Sequence, residues 1–494
     1  MTHLRSHPNK ERRPAAPRPA LAVLPTDHLE EVGAWGRVTS SLSYVYRPAT
    51  AEALHEVLLL ARRSGRTVGL RGGGNSYGDA AMNSEQVVVD LRRMNRILDW
   101  NPETGVIRLE PGVTLSELWQ YVLEDGWWPP VATGTSFTTM GGSAAMNVHG
   151  KNAYKAGPIG DHILEFDLML PSGETITCSR EANSDVFHAA IGGFGMLGIF
   201  TSLTLKMKRI YSGLLDVETC ARANLDEMFA YFDEHTGHSD YCVGWIDSLA
   251  GGKALGQGDV HRANYLPEGA DPIAAQTLRL ENQHLGPNLF GVVPRSIIWL
   301  FMRPMLSNVG VRFVNFGKHL LGSVGGVKRY RQPHAQFHFL LDYVPDFKRA
   351  YGPGGLIQYQ PFIPKETAGD AFGDILTLCR RRGLPNYLTV LKRHKPDDFL
   401  MTYAVDGFSL AMDFRVTSEN RQRMVWLTRE MDEIVLDAGG RFYFAKDSTL
   451  RPEVARAYLG DETIARFREL KRRCDPDDLL QTDLWRRVFQ EGWN

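Results

Sequence analysis

The sequence lacks the marks of a disulfide-stabilised secreted domain, of a zinc-binding fold and of a nucleic-acid-binding protein. Its 494 residues contain five cysteines, which are scattered and have no C-x-x-C spacing. This pattern is typical of a reducing compartment and offers no structural metal site. A net charge of −1 gives no reason to expect a nucleic-acid partner. Because no apolar segment follows Arg12-Arg13, no export signal is evident, and we expect a cytoplasmic protein with a disordered N-terminal segment.

Acidic residues are missing from one long stretch of the chain: residues 282–341 contain neither Asp nor Glu. The basic residues of this acid-free stretch are Arg295, Arg303, Arg312, Lys318, Lys328, Arg329 and Arg331. The apolar runs between them are too short and too interrupted to span a bilayer. Interleaved basic and apolar residues are typical of a segment that lies at the surface of an anionic membrane. This predicts a peripheral position on the inner face of the plasma membrane. The alternative is an apolar cover packed on a folded domain.

Two glycine-rich loops are the most informative features that are present. The first glycine loop is Arg71-Gly-Gly-Gly-Asn-Ser-Tyr-Gly-Asp79, and the second runs from Gly134 to Asn152. Adjacent glycines have no Cβ atoms, so their backbone N–H groups can approach a diphosphate closely. Small and hydroxyl side chains in the second loop would let a large flat ligand lie against the backbone. Together the loops predict a dinucleotide site and therefore a redox enzyme.

The surroundings of the first loop exclude two common nucleotide sites. A Rossmann site needs a helix directly after the glycines. Here residues 67–70 predict a strand that enters the loop, residues 78–83 read as loop, and residues 87–91 predict a second strand. No Walker lysine follows the glycines. The dinucleotide site is therefore of another type.

A glycine loop between two strands, with a second glycine loop downstream, resembles the FAD domain of the vanillyl-alcohol-oxidase (PCMH-type) superfamily. A third segment, Asn183 to Thr201, matches the part that closes the flavin domain in that superfamily. The resemblance implies FAD as the cofactor. Many relatives attach flavin covalently to a histidine of the first loop. Asn75 stands there instead, so the bond cannot form and we expect non-covalent FAD.

Four further segments indicate one particular family within this superfamily. They are residues 34–37 (Ala-Trp-Gly-Arg), 149–152 (His-Gly-Lys-Asn), 350–360 and 439–448, the last of which contains Ala-Lys446-Asp-Ser. In this order they resemble the decaprenylphosphoryl-ribose 2′-oxidases, from about Trp35 to Asp483. The resemblance implies FAD-dependent oxidation of a secondary sugar hydroxyl to a ketone, at C2 of a polyprenyl-phosphate-linked pentose. It also implies a quinone or O2 as electron acceptor and a separate NAD(P)H-dependent reductase that completes an epimerisation.

Other functions stay open at this point. Ala411 and Ser409 stand where the resembling family has a cysteine and an asparagine, which puts the substrate in question. The alternatives are an oxidase of free sugars, alditols or aldonolactones, and a flavoenzyme resembling the Δ24-sterol reductases. A flavin-binding protein that docks a partner without turnover belongs to a different class. Substrate-dependent bleaching of the flavin would separate the enzymes from that last function.

The fold class expected is α+β, with a two-lobed PCMH-type FAD-binding domain and a substrate domain built on an antiparallel sheet. Thr50 and the capping box Thr114-Leu-Ser-Glu117 each predict the start of a helix. Residues 337–341, 355–360, 387–392 and 408–414 predict strands, and residues 421–438 predict a helix. The expected divisions are a disordered segment 1–26, an FAD domain 27–212, a substrate domain 213–438 that includes 282–341, and a segment 439–494 that returns to the FAD domain.

Oxidation of an alcohol requires a hydride acceptor, a route for the proton and a group that orients the hydroxyl. We expect Lys446, His149 and Tyr77 to be catalytic, because an apolar sequence surrounds Lys446 and the other two lie in the glycine loops. Gln358 and Gln360 share one face of a predicted strand and could bind sugar hydroxyls. Lys392, together with Lys446, would contact the substrate. The expected FAD contacts are Arg71, Gly72, Gly73, Gly74, Asn75, Ser76, Tyr77, Gly78, Gly134, Thr135, Thr138, Gly141, Gly142, Asn147, His149, Gly150, Asn152, Gly193, Gly198 and Ile199.

Overall fold

The computed structural model describes residues 21–284, 286, 288–289, 293–307, 310 and 326–490. Residues 1–20 of the predicted N-terminal segment, and Arg312 and Lys318 of the acid-free stretch, lie outside these described residues.

Helices and largely antiparallel sheets are both present, so the α+β prediction is confirmed. Thr50 caps the first helix and the capping box at Thr114 and Glu117 opens the second, as the sequence predicts. The described helices are Ala51–Arg63, Leu115–Val122, Met140–Ala145, Ser184–Ala190, Leu225–His235, Ala274–Thr277, Ile298–Met305, His334–His338, Lys365–Arg381, Arg421–Asp437, Pro452–Leu459, Asp461–Cys474 and Asp483–Trp485.

Two small sheets carry the glycine loops. The first contains, in spatial order, Leu29–Gly33, Ser40–Tyr46, Val87–Asp90 and Val68–Arg71, and its last three strands are parallel. The first glycine loop leaves the end of Val68–Arg71. The second sheet is antiparallel and contains Ile97–Asn101, Val106–Leu109, Ile199–Lys206, Ile163–Met169 and Thr175–Ser179. Short pairs join Trp127–Trp128 to Lys208–Arg209 and Asn288–Leu289 to Val293–Pro294.

A nine-stranded antiparallel sheet forms the other side of the molecule. Its strand order is Lys328–Pro333, Leu214–Arg222, Gly258–Tyr265, Tyr241–Ile246, Leu388–His394, Gly407–Arg415, Pro361–Pro364 and Arg441–Phe442, and Leu356–Tyr359 also pairs with Gly407–Arg415. The predicted strands around residues 355–360, 387–392 and 408–414 are therefore neighbours. The helices Lys365–Arg381 and Arg421–Asp437 pack on this sheet. The domain boundaries near residues 212 and 438 remain predictions.

The segment Phe337–Leu341, which the sequence predicts as a strand, is not one. It contains the end of the helix His334–His338 and the beginning of a 3-10 turn at Leu340–Tyr343. Pro333 ends the preceding strand and fixes the backbone at the start of the helix. Four of the helix's five residues are buried, so a run of apolar residues appears without the spacing that identifies an amphipathic helix.

The C-terminal segment holds the first glycine loop to the strand end that carries Lys446. Arg487 binds both carboxylate oxygens of Asp79 at 2.8 Å, and it binds Asp447 at 2.7 Å. Asp483 accepts hydrogen bonds from the backbone and hydroxyl of Ser84. Within the described ranges, no helix is long and apolar enough to cross a membrane.

Candidate active site

A large cleft runs between the two glycine loops and the nine-stranded sheet. Its volume is about 1700 Å³ including the open mouth. Residues from parts of the chain more than 300 positions apart meet there, which makes it the natural candidate for the active site. The predicted site residues that line it are Arg71, Gly72, Gly73, Gly74, Asn75, Ser76, Tyr77, Gly134, Thr135, Thr138, Gly141, Gly142, His149, Gln358, Gln360, Lys392 and Lys446.

The remaining predicted FAD contacts do not line the cleft. Gly78 presses on the backbone of Asp447, where a Cβ atom would come within 1.9 Å of the carbonyl oxygen. Asn147 adopts a left-handed backbone, and its carbonyl accepts a 2.6 Å hydrogen bond from the Tyr403 hydroxyl. The other predicted contacts that do not line the cleft are Gly150, Asn152, Gly193, Gly198 and Ile199.

The two glycine loops touch each other, and only glycine permits the contact. A Cβ atom on Gly72 would come within 2.1 Å of the Thr139 hydroxyl, and one on Gly73 within 2.5 Å of the Phe137 carbonyl. Gly73 N donates to that Thr139 hydroxyl at 3.3 Å. Among the described residues, no protein acceptor receives the N–H groups of Gly74, Asn75 and Ser76. The rim of the cleft therefore offers free backbone donors of the kind that bind a pyrophosphate.

Tyr77 and Gln358 connect the first glycine loop to the sheet. The Gln358 amide donates to the Tyr77 hydroxyl at 3.2 Å and to the buried carboxylate of Asp413. The Tyr351 hydroxyl donates to the other oxygen of Asp413 at 3.4 Å. Because both donor contacts of Gln358 use its nitrogen, its carbonyl oxygen is free to accept a hydrogen bond from a ligand.

Two lysines reach the cleft without a hydrogen-bond or ion-pair partner among the described residues; they are Lys392 and Lys446. Burial lowers the pKa of Lys392 to about 8. Burial and the charge of Lys392 lower the pKa of Lys446, and the carboxylate of Asp413 acts in the opposite direction. Burial likewise raises the pKa of Asp413, against the hydrogen bond from Gln358 and the charge of Lys446. An unpaired buried ammonium is unfavourable, so this cleft is suited to an anionic or strongly polar ligand.

His149 belongs to a chain of hydrogen bonds along the sheet. Gln360 Nε2 lies 3.1 Å from His149 Nε2 and 3.1 Å from the Ser409 hydroxyl. That hydroxyl lies 2.8 Å from His394 Nε2. The pKa values of both histidines are lowered, first by burial and then by the charge of Lys392. Since an amide nitrogen only donates, His149 Nε2 accepts, and the ring is neutral.

Sequence reasoning assigned no role to three residues that the structure places at this site. Asp413 orients Gln358, whereas Lys151 and His338 line the cleft directly. Lys151 belongs to the second glycine loop. His334 and His338 lie four residues apart. That spacing is a helical signal that the strand prediction overlooked.

The cleft is also lined by residues from the end of the acid-free stretch. The N–H of Leu341 donates to the Gly134 carbonyl at 3.1 Å. The carboxylate of Asp342 accepts from the Thr135 hydroxyl, the Ser136 hydroxyl and the Ser136 N–H at 2.6–2.8 Å. Residues 341–342 therefore hold the beginning of the second glycine loop in place.

Comparison with known proteins agrees with this geometry. Residues 42–179 match the FAD binding domain family. The chain is 29% identical to the decaprenylphosphoryl-β-D-ribose oxidase of Mycolicibacterium smegmatis, over 92% of this chain and 96% of the relative. The protein is an FAD-dependent oxidoreductase. This flavoenzyme is also 29% identical to the L-gulonolactone oxidase of Mus musculus, over 40% of its chain and 43% of the relative. It is 30% identical to a putative D-arabinono-1,4-lactone oxidase of Neurospora crassa, over 36% and 32%.

The residues present fit FAD. The free N–H groups of Gly74, Asn75 and Ser76 suit the pyrophosphate of the flavoenzyme's cofactor. The side-chain amide of Asn75 donates to the Phe137 carbonyl at 3.0 Å, and no imidazole stands at that position. The contact between the two loops gives the cleft a wall of small residues, against which a flat ring system can lie.

Proposed function

We propose that the protein oxidises a secondary sugar hydroxyl to a ketone, at C2 of a pentose linked to a polyprenyl phosphate. The observation that carries the proposal is the pair of unpartnered lysines, Lys392 and Lys446, in one cleft with Gln358 and Gln360. Amide groups suit the hydroxyls of a sugar. Unpaired ammonium groups suit a phosphate and an oxygen that gains negative charge.

Each of these side chains has a task that follows from its contacts. Gln358 is oriented by Asp413 and Tyr77, so its carbonyl oxygen can accept a hydrogen bond from a sugar hydroxyl. Gln360 is held between His149 and Ser409. FAD, when bound, supplies the hydride acceptor. Lys446 donates a hydrogen bond to the reacting oxygen and so fixes the alcohol in one orientation.

The proposal also includes a partner reductase, an electron acceptor and a route for the lipid chain of the substrate. A ketone at C2 can be reduced from the opposite face by a separate NAD(P)H-dependent reductase, and the two steps together are an epimerisation. A quinone or O2 would reoxidise the flavin. A polyprenyl chain requires access from a membrane surface. The exposed apolar side chains of Ile297, Leu300 and Phe301, in the acid-free stretch, support such an approach.

The test is anaerobic reduction of the flavin by a matched set of sugars. The set contains a short-chain prenylphosphoryl ribose, its 2-deoxy analogue, free ribose and an aldonolactone. We expect the prenylphosphoryl ribose to bleach the flavin fastest and the 2-deoxy analogue to leave it oxidised. Faster bleaching by the lactone would instead favour the activity that the names of two relatives suggest. No bleaching by any member would leave a flavin-binding protein without turnover.

A further inference from the structure

Lys151 is a buried cation whose surroundings contain no carboxylate partner in the described part of the chain. Its side chain is 8% exposed and lines the cleft. The ammonium donates to the Phe337 carbonyl and lies 4.3 Å from the centroid of the Phe337 ring. One carbonyl leaves two of its three N–H donors unused. The ammonium of Lys151 can therefore donate to a second polar group in the cleft.

His338 lines the same cleft and has unused polar atoms. It is 1% exposed, and neither ring nitrogen has a hydrogen-bond partner among the described residues. Its ring lies 4.7 Å from that of Tyr241 and 5.6 Å from that of Trp128. Buried polar groups of native proteins nearly always have a partner, so this imidazole at the wall of the cleft is suited to a polar ligand.

Burial and the charges of neighbouring lysines lower the pKa values of Lys151 and His338. Burial and the charge of Lys392 lower the pKa of Lys151 to about 7. Burial, followed by the charge of Lys151, lowers the pKa of His338. Each cation makes its neighbour harder to protonate, and an anion among them would relieve the repulsion. Three further titratable groups contact Lys151 or His338. The Cys242 N–H donates to the Lys151 carbonyl, and the rings of Tyr241 and His334 lie 4.7 and 6.3 Å from that of His338. All three groups are neutral near pH 7.

This basic group adjoins the part of the cleft that we assign to the sugar. Lys392 lies directly opposite Ser409 in the sheet, and Ser409 accepts a hydrogen bond from Gln360. In a pentose 1-phosphate derivative, the phosphate is attached to the carbon next to C2. A residue that binds the C2 region and a residue that binds the phosphate must therefore be neighbours.

We propose that Lys151, His338 and Lys392 form a subsite for the phosphate group of the substrate. The inference rests on the proposed function, and it assigns phosphate recognition to two residues, Lys151 and His338, that have no other role in the mechanism. The two lysines supply charge and the neutral imidazole supplies one N–H donor. The FAD pyrophosphate is the other source of the same chemistry, and the free N–H groups of Gly74 to Ser76 are available for it.

The experiment compares a geranylphosphoryl riboside with an uncharged geranyl riboside in four forms of the holoenzyme. These are the parent, Lys151→Met, His338→Phe and the control Lys155→Met. Lys155 is a surface lysine that pairs with Asp240 at 2.6 Å, outside the cleft. We expect the Kd of the charged riboside to rise about 10- to 100-fold in the first two variants, as for the loss of a charge-assisted hydrogen bond. The Kd of the uncharged riboside should change less than about twofold.

The pH dependence gives a second measurement, which needs no variant. A phosphodiester does not titrate near neutral pH, so a change in its affinity reports the protein. An anion raises the pKa of Lys151 in the complex, so binding is tightest below about pH 7 and weakens as the pH rises above that value. Binding near pH 8 should therefore take up protons, which calorimetry in two buffers measures. The uptake should decrease in Lys151→Met and persist in Lys155→Met.

The outcomes separate this subsite from the proposed substrate and from the cofactor. Equal losses for both ribosides, or loss of FAD from the variants, would overturn the subsite. An unchanged KM for the charged substrate in both variants would also overturn it, although the proposed substrate would stand. If the enzyme oxidises only uncharged sugars, the proposed substrate fails, and the role of Lys151 in binding a substrate phosphate fails with it, even where the phosphodiester still binds through Lys151.

Discussion

The Nζ atom of Lys446 lies 3.9 Å from the centroid of the Tyr77 ring. Lys446 follows the last strand of the large sheet, whereas Tyr77 belongs to the first glycine loop. The backbone adds a second connection, since Tyr77 N donates to the Ala445 carbonyl at 2.9 Å. A cation over an aromatic face is attracted to it. The ring thus keeps an unpaired ammonium in the cleft without a counter-ion that would neutralise it.

Replacement of Lys446 by Ala should lower the rate of flavin reduction by about 10²- to 10³-fold, the usual cost of one lost electrostatic contact in a transition state. The FAD content should stay at the parent level, because the free donors of the first loop are intact. Stopped-flow absorbance measures the rate. Lys395→Ala, which removes a surface lysine that pairs with Asp161 at 3.3 Å, is the control. A rate within about twofold of the parent would exclude a catalytic role for Lys446.

Replacement of Asp413 by Asn should move the pH profile of flavin reduction to lower pH. Asp413 raises the pKa of Lys446 against burial and Lys392, so its loss leaves the ammonium easier to deprotonate. The profile shifts in this direction whether activity requires the protonated or the neutral lysine. We expect a shift of about one pH unit. The oxygen of an asparagine can still accept from Gln358, so the geometry is retained.

The matched control for that change is Asp432→Asn. Asp432 is also a buried carboxylate, but it accepts from the Tyr359 hydroxyl at 2.9 Å and lies near Arg451. Its removal should leave the pH profile in place. If both variants shift the profile equally, the shift reflects the loss of a negative charge in general, and the specific effect of Asp413 on the pKa of Lys446 is wrong.

The flavin should leave the protein when the chain is denatured. Asn75 occupies the attachment position of the first loop, and its amide is bonded to the Phe137 carbonyl. Acid or heat should therefore release FAD into the supernatant, where its absorbance is measured after centrifugation. Flavin that remains in the washed precipitate would show a covalent bond that the sequence does not predict.

The acid-free stretch should bind anionic vesicles more than neutral ones, and less at high salt. Phe301 is 62% exposed and Leu300 is 50% exposed on the helix that carries Arg303. Each basic side chain near the surface contributes roughly 1 kcal/mol. Replacing Arg303, Arg312 and Lys318 by Glu should release the protein in a co-sedimentation assay. The same change should slow the oxidation of a long-chain substrate and spare a short-chain one.

A matched charge reversal at the exposed residues Lys253, Arg381 and Arg472 tests whether net charge alone explains vesicle binding. That control should retain binding. If the variant of the acid-free stretch sediments as well as the parent, the stretch is a folded cover, and support for a lipid-linked substrate decreases accordingly.

Local signals in the sequence predicted much of the fold. The capping box at Thr114 and Glu117 depends on four consecutive residues, and the structure contains it. The strand before the first glycine loop and the strands around Gln358 and Lys392 also follow from short apolar runs. The sequence could not predict that Gln358 binds Asp413, because these residues are 55 positions apart and their contact depends on the register of two strands.

The glycine loops predict one side of the cleft. The sequence does not predict how residues of the large sheet and of the helix His334–His338 form the opposite side. Tyr77 and Gln358 are separated by 281 positions, and no sequence pattern joins them. His338 was hidden in a segment that the apolar pattern assigned to a strand. Asp342 follows directly after the acid-free stretch, and only the structure reveals that its carboxylate holds Thr135 and Ser136.

The contact between Asp342 and the second glycine loop connects the acid-free stretch to the cofactor site. Three hydrogen bonds and the Leu341–Gly134 contact must move together with the loop or break. If attachment of the neighbouring stretch to a surface displaces residues 341–342, it changes the affinity of the cleft for its cofactor. Thermodynamic reciprocity then requires that the cofactor change the affinity for the surface by the same factor. Flavin-free and flavin-loaded protein would in that case distribute differently between membrane and solution.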